Sequence, residues 1–476
     1  MKSVVKKSDS ETLPAGWTIK TAGEIAEIKL GKMLDRAKHI SGTALPYLRN
    51  INVRWDEFDT TDLREMFFDD DEVDRYSVRS GDLIVCEGGE PGRAAIWKGK
   101  KPTMFQKALH RVRPTDAVTA EWMLVCLRHY ASSGELMRFV SGTTIKHFTL
   151  EAFSRLPIPL PPLLEQRRIV ARLEALTARS RRARALLAEV PTQLAQARQS
   201  LLASAFRGDL TADWRRSNQP KETGIALLNR LQSERRKNWE ASEFQKMCAR
   251  GRRPKDATWK SHYVEPIVST CADPLPTTWT WACLIELEEG DRKSGYGVLK
   301  PGPHEPTGIR MLKSGQIRHG WVDLSEDYRI SPELDTEFAK TRLRGGEVLI
   351  NLVGASIGRS AVAPAETAGY NLSRAIGMIP VPQKIAVYVQ LVLGSPVCQR
   401  LIAGKTGGSA QGVLNMEEVR SLEIPLPSEV EQHEIVRRLQ SAFARLDAAA
   451  AAHTGAVAEL DRLDQSLLTR AFSGAL

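Results

Sequence analysis

Ile158–Ile169 reads IPLPPLLEQRRI, and 266 residues later Ile424–Ile435 reads IPLPSEVEQHEI. The same offset relates Ser200–Leu210 (SLLASAFRGDL) to Ser466–Leu476 (SLLTRAFSGAL), in which seven of the eleven residues are identical. Each copy therefore has an IPLP hinge that is followed by a long stretch ending in a second shared motif. This duplication decides how the whole chain is organised.

The two copies also share their beginnings. LPAGW (Leu13–Trp17) corresponds to LPTTW (Leu275–Trp279), and GDLIV (Gly81–Val85) corresponds to GEVLI (Gly346–Ile350). The globular stretches around these motifs hardly match each other. A duplicated frame with two divergent globular parts suggests a protein that recognises two different things at a fixed separation.

A heptad pattern follows each hinge, because apolar and small residues recur at alternating steps of four and three. Each helix is predicted to begin after prolines and to end at a glycine, Gly208 or Gly474. Two such helices in one chain most simply pack antiparallel. Pro191 predicts a bend in the first helix only, since Val457 stands at the equivalent position of the second helix. His453, which lies in the heptad seam of the second helix, is interpreted as a packed residue rather than a metal ligand. The predicted seam positions are Ile169, Leu173, Leu176, Ser180, Ala183, Leu187, Val190, Leu194, Ala197 and Leu201, and then Ile435, Leu439, Ala442, Leu446, Ala449, His453, Ala456, Leu460, Leu463 and Leu467.

With 476 residues the chain is too long for a single core. Short apolar strand runs entered through glycine turns predict mixed α/β globular parts, so the fold class is α+β: two such domains joined by two long antiparallel coiled-coil helices, with an internal pseudo-twofold repeat. In chain order the predicted segments are a first domain (1–157), a first helix (158–210), a basic helical linker (211–272), a second domain (273–423) and a second helix (424–476).

The net charge of +10 is concentrated on the first helix and on the linker after it. The densest basic runs are RRSNQPK, SERRKNW and ARGRRPK, and the last contains Arg250, Arg252 and Arg253. Basic clusters of this kind suit the phosphate backbone of a nucleic acid. The alternative is a solvated helix face. Within the linker, Gly224–Glu240 is predicted to be a helix with Leu227, Leu228 and Leu231 on one side. It could pack on the second domain or lie along a nucleic acid or a partner; we favour packing for the helix and a phosphate contact for Arg250–Lys255.

Two glycine-rich bends, EGGEPGR (87–93) and VGASIGR (353–359), follow equivalent predicted strands. Each ends in an arginine, Arg93 or Arg359, and a glycine bend can bring backbone and arginine close to a phosphate. The alternative is a hairpin turn with a solvent-facing arginine. Loops before each hinge, 141–148 and 407–414, could also contact a backbone, so Lys146 and the neighbouring Lys405 join the predicted DNA-binding residues.

Motifs of catalysis, metal binding and membrane insertion fail to appear in the sequence. Gly404-Lys405-Thr406 lacks the first glycine of a P-loop, and there is no H-E-x-x-H, no G-x-S-x-G and no N/D-P-P-aromatic tetrapeptide. The six cysteines lack C-x-x-C spacing, which favours reduced thiols. No apolar run approaches the roughly 18 residues of a membrane span, and MKSVVKKSDSET is no secretory signal. We expect a soluble, cytoplasmic, non-catalytic protein.

The LPxxW openings, the GD-L-I strand and, above all, the duplicated IPLP-x-x-x-EQ-x-x-I hinge resemble the specificity (S) subunit of type I restriction–modification systems. The resemblance covers nearly the whole chain. It implies that each globular part is a target recognition domain reading half of a bipartite DNA site, and that the helices form a spacer. It also implies two methyltransferase (M) subunits that bring S-adenosylmethionine, and two restriction (R) subunits that bring ATP and Mg²⁺; this chain itself would bind no cofactor or metal and no membrane.

The hinge motif supplies the residues expected to form the spacer and to bind partners: Glu165, Gln166, Ile169, Leu173, Glu431, Gln432, Ile435 and Leu439. The basic linker departs from the plain family pattern. Two other classes of protein stay open at this point. One is a self-contained restriction enzyme, against which the missing catalytic motifs weigh, and the other is a duplicated coiled-coil adaptor with no nucleic-acid role.

Overall fold

A computed structural model of the chain describes residues 13–33, 42–101, 103–142, 146–218, 220–406 and 412–476. The chain forms two compact units. Unit 1 comprises Met1–Glu189 and Ala452–Leu476, and unit 2 comprises Val190–Ala451. Each unit therefore combines one globular part with portions of both long helices, whereas the five predicted segments simply follow chain order.

Unit 1 is built from two four-stranded sheets and a two-stranded ribbon. The sheets have the strand orders β2-β9-β6-β7 and β4-β3-β8-β5, and the ribbon pairs β1 with β10. Strands β1 to β10 are Thr18–Thr21, Ala26–Leu30, Thr43–Leu48, Arg64–Phe68, Ser77–Val78, Leu83–Cys86, Ala94–Ile96, Thr103–Phe105, Leu109–Pro114 and Pro157–Leu160. Helices α1 to α5 are Ala22–Ile25, Asp70–Tyr76, Ala120–Ser132, Leu150–Ser154 and Leu163–Ala188.

Unit 2 repeats this plan with smaller sheets. Their strand orders are β12-β18-β15-β16 and β14-β13-β17, and the ribbon pairs β11 with β19. Helices α6 to α13 are Val190–Phe206, Ala212–Ser217, Gly224–Ala249, Pro332–Glu337, Gln383–Leu393, Pro396–Thr406, Met416–Arg420 and Glu429–Phe472, the last of which continues into unit 1 after Ala451. Strands β11 to β19 are Thr280–Cys283, Gly295–Tyr296, Ile309–Leu312, Arg329–Ile330, Val348–Asn351, Ser360–Val362, Asn371–Leu372, Ile376–Ile379 and Glu423–Leu426.

The two-stranded ribbons explain why the opening and the hinge are conserved between the copies. The strand after LPxxW pairs antiparallel with the IPLP strand in both units, with Thr18 opposite Leu160 and Thr280 opposite Leu426. Each ribbon closes its globular part where the long helix begins. The two shared motifs, more than a hundred residues apart in sequence, thus form one structural element.

A buried glutamine holds the start of each long helix. Gln166 and Gln432, which are equivalent at the 266-residue offset, donate from Nε2 to the carbonyl oxygens of Pro161 (2.8 Å) and Pro427 (3.0 Å). Pro161 and Pro427 lie just before the first turns of α5 and α13, which begin at Leu163 and Glu429, so their carbonyls are outside the hydrogen-bond ladder of the helix. The glutamine of the EQ motif therefore pairs a backbone acceptor at the entry to each long helix.

The first long helix is interrupted and the second is continuous, as predicted from Pro191. Helix α5 ends at Ala188 and α6 begins at Val190, whereas α13 runs unbroken. Pro191 has no N–H to donate to the carbonyl of Leu187 four residues earlier. That carbonyl instead accepts from the backbone N–H of Glu189 and lies 2.9 Å from Nε2 of His453 on α13. His453 is thus a packed residue with a backbone partner, as interpreted.

The helices run antiparallel within each unit, which confirms that prediction. In unit 1, Arg184 on α5 pairs with Asp461 (2.7 Å) and Asp464 (2.9 Å) on α13. In unit 2, Arg198 on α6 pairs with Asp447 on α13 at 2.6 Å. Ion pairs therefore reinforce the apolar contacts along both portions of the spacer.

The predicted seam of α13 is wrong along part of its length. Ala456 and Leu463 are exposed, the latter by 46%, while the following residues, Val457 and Asp464, are partly buried. A strict heptad repeat drifts by about 20° per seven residues around a straight helix with 3.6 residues per turn. The inward face consequently moves by one residue over this stretch.

The linker helix packs as predicted, although α8 extends to Ala249 and is longer than the expected Gly224–Glu240. Leu227, Leu228 and Leu231 are buried in the core of unit 2 together with Trp279. Gly224 begins the helix against the hinge strand, where an added Cβ would lie 2.0 Å from the carbonyl oxygen of Leu426. The linker is therefore an integral part of unit 2.

All six cysteines are free thiols. Over the described ranges, His, Cys, Asp and Glu side chains form no group of three that could hold a metal ion. Among those same residues no single helix is long and apolar enough to cross a membrane, and only Gln383–Leu393 joined with Pro396–Lys405, bent by 71°, passes that test as a pair.

Candidate nucleic-acid interface

The two glycine-rich bends are hairpin turns at equivalent places in the units. The first joins β6 to β7 and the second joins β15 to β16, both antiparallel. Gly92 has φ 85° and Gly358 has φ 79°, a left-handed conformation that favours glycine. The strand predicted before each bend is confirmed, and a second strand follows each bend.

The loop before each hinge lies beside the hairpin turn of the same unit. In unit 1 the N–H of Phe148 donates to the carbonyl of Glu87 at 2.7 Å, and Gly88 forms an isolated bridge with His147. In unit 2 the N–H of Leu414 donates to the carbonyl of Leu352 at 2.9 Å. Two segments that are separated in the sequence therefore form one surface in each unit, which we call the turn–loop surface. Residues 143–145 and 407–411 lie outside the described residues.

Arg93 on the first turn–loop surface is already held by the protein. Its guanidinium donates to Glu90 Oε2 (2.7 Å) and to the carbonyl of Asn50 (2.9 Å), and its side chain is only 14% exposed. Trp55 Nε1 in turn donates to the other oxygen of Glu90 at 3.1 Å. Asn50, Trp55 and Glu90 were not predicted, because nothing in their spacing shows that they meet Arg93. A phosphate contact by Arg93 stays a prediction, and it would require these bonds to be shared.

The other predicted cations of these surfaces are available. Arg359 is half-buried, Lys146 and Lys405 are exposed, and none of the three side chains forms an ion pair with any residue in the described ranges. Burial lowers the pKa of His319, and the positive charges of Arg359 and Arg198 lower it further. Arg359 thus lies close enough to His319 to act on it as a positive charge.

The three basic runs of the linker differ in what they contact. Arg215 pairs with the buried Glu431 at 3.0 Å, and Arg235 is 7% exposed and donates to Tyr263 Oη at 2.6 Å. Both arginines therefore stabilise unit 2. By contrast, the loop after α8, hereafter the basic loop, exposes Arg250, Arg252, Arg253 and Lys255, and in the described parts of the chain these four side chains meet no acidic partner.

Most residues expected to bind partners on the spacer helices are buried inside their own unit, and a partner contact by these residues stays a prediction. Their place on the long helices is confirmed, but their side chains face the core or the ribbon. Only Glu165 keeps a partly open side chain, 30% exposed. The buried residues are Gln166, Ile169, Leu173, Glu431, Gln432, Ile435 and Leu439.

Glu431 is the centre of a buried polar cluster that ties the linker to the second hinge. Its side chain accepts hydrogen bonds from Thr211 Oγ1 (2.8 Å), Arg215 Nε (3.0 Å) and Trp279 Nε1 (2.9 Å). The guanidinium of Arg215 also lies 5.3 Å from the ring centre of Trp279. A buried carboxylate is stable only with such partners, so the linker, the opening motif and the hinge are joined through one side chain.

Comparison with known proteins shows the family to which this architecture belongs. The family model described as "Type I restriction modification DNA specificity domain" matches residues 14–192 and 306–451, more than half of the chain. The chain is 28% identical over 403 residues to the type I restriction enzyme EcoBI specificity subunit of Escherichia coli, covering 84% of this chain and 75% of that protein. It is 23% identical to the EcoKI specificity subunit of Escherichia coli (strain K12), covering 98% and 90%.

Two solved structures have a similar fold. One, from a study of complex assembly and conformational transition of the type I R-M system, aligns with a TM-score of 0.64 at 20% identity and covers 98% of this chain and all of that one. The HsdS subunit of Thermoanaerobacter tengcongensis aligns with a TM-score of 0.54 at 20% identity, covering 98% and 99%. With its duplicated hinge, two α/β parts and two long helices, the chain belongs to the family of type I restriction–modification specificity subunits.

Proposed function

We propose that the chain is the DNA-reading subunit of a type I restriction–modification complex, in which each unit recognises one half of a bipartite DNA target. The observation that carries this proposal is the duplicated frame with unlike globular parts. Both units place a hairpin turn and a pre-hinge loop at the same position, but the side chains on these surfaces differ. Because base readout depends on the side chains that enter the groove, different surfaces would read different half-sites.

The basic loop supplies a second, sequence-independent contact in this proposal. Arg250, Arg252, Arg253 and Lys255 are exposed cations that can neutralise phosphates. Arg359, Lys146 and Lys405 would act in the same way at the turn–loop surfaces. Phosphate contacts position a protein on the duplex, whereas base contacts specify the sequence.

Catalysis is assigned to partner subunits. Two M subunits would carry S-adenosylmethionine and methylate adenine, and two R subunits would use ATP and Mg²⁺, while this chain, in the cytoplasm, would bind no cofactor. The chain alone should therefore transfer no methyl groups to DNA. The similarity to named specificity subunits favours this role over a self-contained restriction enzyme and over an adaptor without a nucleic-acid role.

The test is a domain exchange read by methylome sequencing. Residues 1–157 would be replaced by the equivalent domain of a relative that recognises another target, and the chimera expressed with its M partner. One half of the methylated motif should change and the other should persist. The reciprocal exchange of residues 273–423 is the matched control. A change in both halves after either exchange would contradict modular reading.

A further inference from the structure

Each unit contains a further loop whose two copies share their structure but hardly their sequence. Residues 49–62 of unit 1 and 313–326 of unit 2, which we call the capped loops, have two identical residues out of fourteen. A buried amide side chain, Asn52 or Gln316, lies within each loop. Its oxygen accepts from the backbone N–H three residues earlier, at 2.9 Å in both loops, and its nitrogen donates to the carbonyl seven residues later, at 2.9 and 2.8 Å. The capped loops are therefore one structural element in two copies.

The tips of the capped loops share one backbone geometry. In each four-residue tip the N–H of the first residue donates to the carbonyl of the fourth, at 2.9 and 3.0 Å. The third residue has a left-handed backbone in both tips, with φ of 68° and 90°. The first residue is an arginine in both, whereas the other three differ. The tips are Arg54-Trp55-Asp56-Glu57 in unit 1 and Arg318-His319-Gly320-Trp321 in unit 2.

Each tip lies beside the turn–loop surface of its own unit. The N–H of the third tip residue donates to the first residue of β7 at 3.2 Å in unit 1, and to the first residue of β16 at 3.0 Å in unit 2. These strands directly follow Arg93 and Arg359. The tip and the turn–loop surface are therefore neighbours in both units.

The fourth tip residue is the one that the protein leaves free in unit 1. Trp55 donates to Glu90, and Asp56 pairs with Arg128. Glu57 is exposed, and its side chain pairs with no cation in the described parts of the chain. In unit 2 the same position is Trp321, which is 57% exposed. Two exposed side chains of unlike chemistry thus stand at the same place in the two units.

The chemistry of these side chains decides what they could contact on DNA. A carboxylate is repelled by phosphates, so its favourable partner there is an amino group of a base. In the major groove a glutamate accepts from N4 of cytosine, and an apolar side chain contacts the methyl group of thymine. Arg54 is exposed and Arg318 is 43% exposed beside Asp323, so the first tip residue can reach a phosphate in either unit.

We propose that the fourth tip residue determines specificity, with Glu57 reading a cytosine in one half-site and Trp321 contacting a thymine methyl group in the other. The capped loops enter the major groove, where all four base pairs can be distinguished. The shared arginines position each tip on the phosphate backbone. This inference rests on the proposed function and deepens it, because it assigns one base pair of each half-site to one side chain.

The test is methylome sequencing of cells that express the chain with its M partner. Glu57→Gln keeps the size of the side chain but adds a donor, and glutamine suits adenine rather than cytosine. It should lower the preference for cytosine at one position of the unit 1 half-site about tenfold and leave the other half-site unchanged. The matched control is Glu65→Gln on β4 of the same unit, an exposed glutamate outside the tip, which should leave the motif as it is.

Two further variants test the position rather than the single side chain. Trp321→Ala should lower the preference for thymine at one position of the unit 2 half-site. Replacing residues 54–57 by the sequence of residues 318–321 should change the base preferred by unit 1 from cytosine to thymine at the same position, because both tips share one backbone geometry.

An unchanged motif in Glu57→Gln and in the tip exchange would overturn the inference while the proposed function stood. Uniform loss of methylation at all sites with an unchanged melting temperature would also overturn it, since the tip would then contribute affinity and no base reading. If the wild-type chain and its M partner methylated no bipartite motif, the proposed function itself would fail, and this inference with it.

Discussion

Replacing Glu431 by alanine should destabilise unit 2 far more than the equivalent Glu165→Ala change destabilises unit 1. Glu431 is fully buried and accepts from Thr211, Arg215 and Trp279 at 2.8 to 3.0 Å. Its removal leaves Nε of Arg215, whose side chain is 17% exposed, the Thr211 hydroxyl and the Trp279 indole N–H without this acceptor, although Arg215 Nη2 keeps its bond to the carbonyl of Gly208. Breaking a buried ion pair by deleting one partner costs about 3–5 kcal/mol.

This cost converts into a measurable shift of the melting temperature. For domains of 150–250 residues, 1 kcal/mol corresponds to roughly 2–4 °C, so Glu431→Ala should lower the midpoint of unit 2 by about 6–20 °C. Glu165 has only a partly exposed pair with Arg168 at 3.7 Å, and such pairs contribute about 0–1 kcal/mol. Its alanine variant should shift the midpoint of unit 1 by less than about 4 °C.

Differential scanning calorimetry of the full chain measures both effects, because the two units can melt as separate transitions. Arg215→Ala and the double variant complete a thermodynamic cycle with Glu431→Ala. The double variant should cost less than the two single changes added together, since the single changes each strand a buried charge. Equal shifts for Glu431→Ala and Glu165→Ala, or additive effects in the cycle, would refute the reasoning.

Three further predictions concern DNA affinity, pH and spacing. Alanine at Arg250, Arg252 and Arg253 together should weaken binding to all sequences alike and reduce the salt slope of log K by about one unit per lost contact. The matched control is Arg155→Ala, which removes an exposed arginine that lies outside the basic runs and pairs with Glu151. Burial lowers the pKa of His110 from 6.5 to about 4, so below pH 6.5 the unfolded chain binds more protons than the folded chain. The free energy of unfolding should therefore fall by roughly 3 kcal/mol between pH 6.5 and 4. In urea denaturation at several pH values, His110→Gln should reduce this fall, and an unchanged pH dependence would assign the fall to other groups. Inserting one heptad at matched positions of both long helices lengthens them by about 10 Å. The non-specific gap between the two halves of the methylated motif should then widen by about three base pairs at 3.4 Å each. Methylation at the original spacing would show that the helices do not set the distance between the half-sites.

The sequence alone determined the elements whose signals are local or repeated. Heptad spacing, prolines and terminal glycines predicted both long helices and the single interruption at Pro191. The 266-residue repeat predicted two units with one plan, and turn residues predicted the hairpins that end in Arg93 and Arg359. These features depend on neighbours within a few residues, or on comparing one half of the chain with the other, and both can be read without coordinates.

Only the tertiary structure decided which side chains are free to act. Arg93 and Arg359 are equivalent in sequence, but Asn50, 43 residues away, holds only Arg93. Trp122 and Tyr388 are unlike residues at equivalent positions, and each donates a hydrogen bond to the hinge, to Pro159 at 2.8 Å and Pro425 at 2.7 Å. The partner of a side chain is set by segments that folding brings together from distant parts of the chain. Burial and pairing, which separate a structural arginine from one that can bind a phosphate, therefore follow from the packed fold and leave no periodic trace in the sequence.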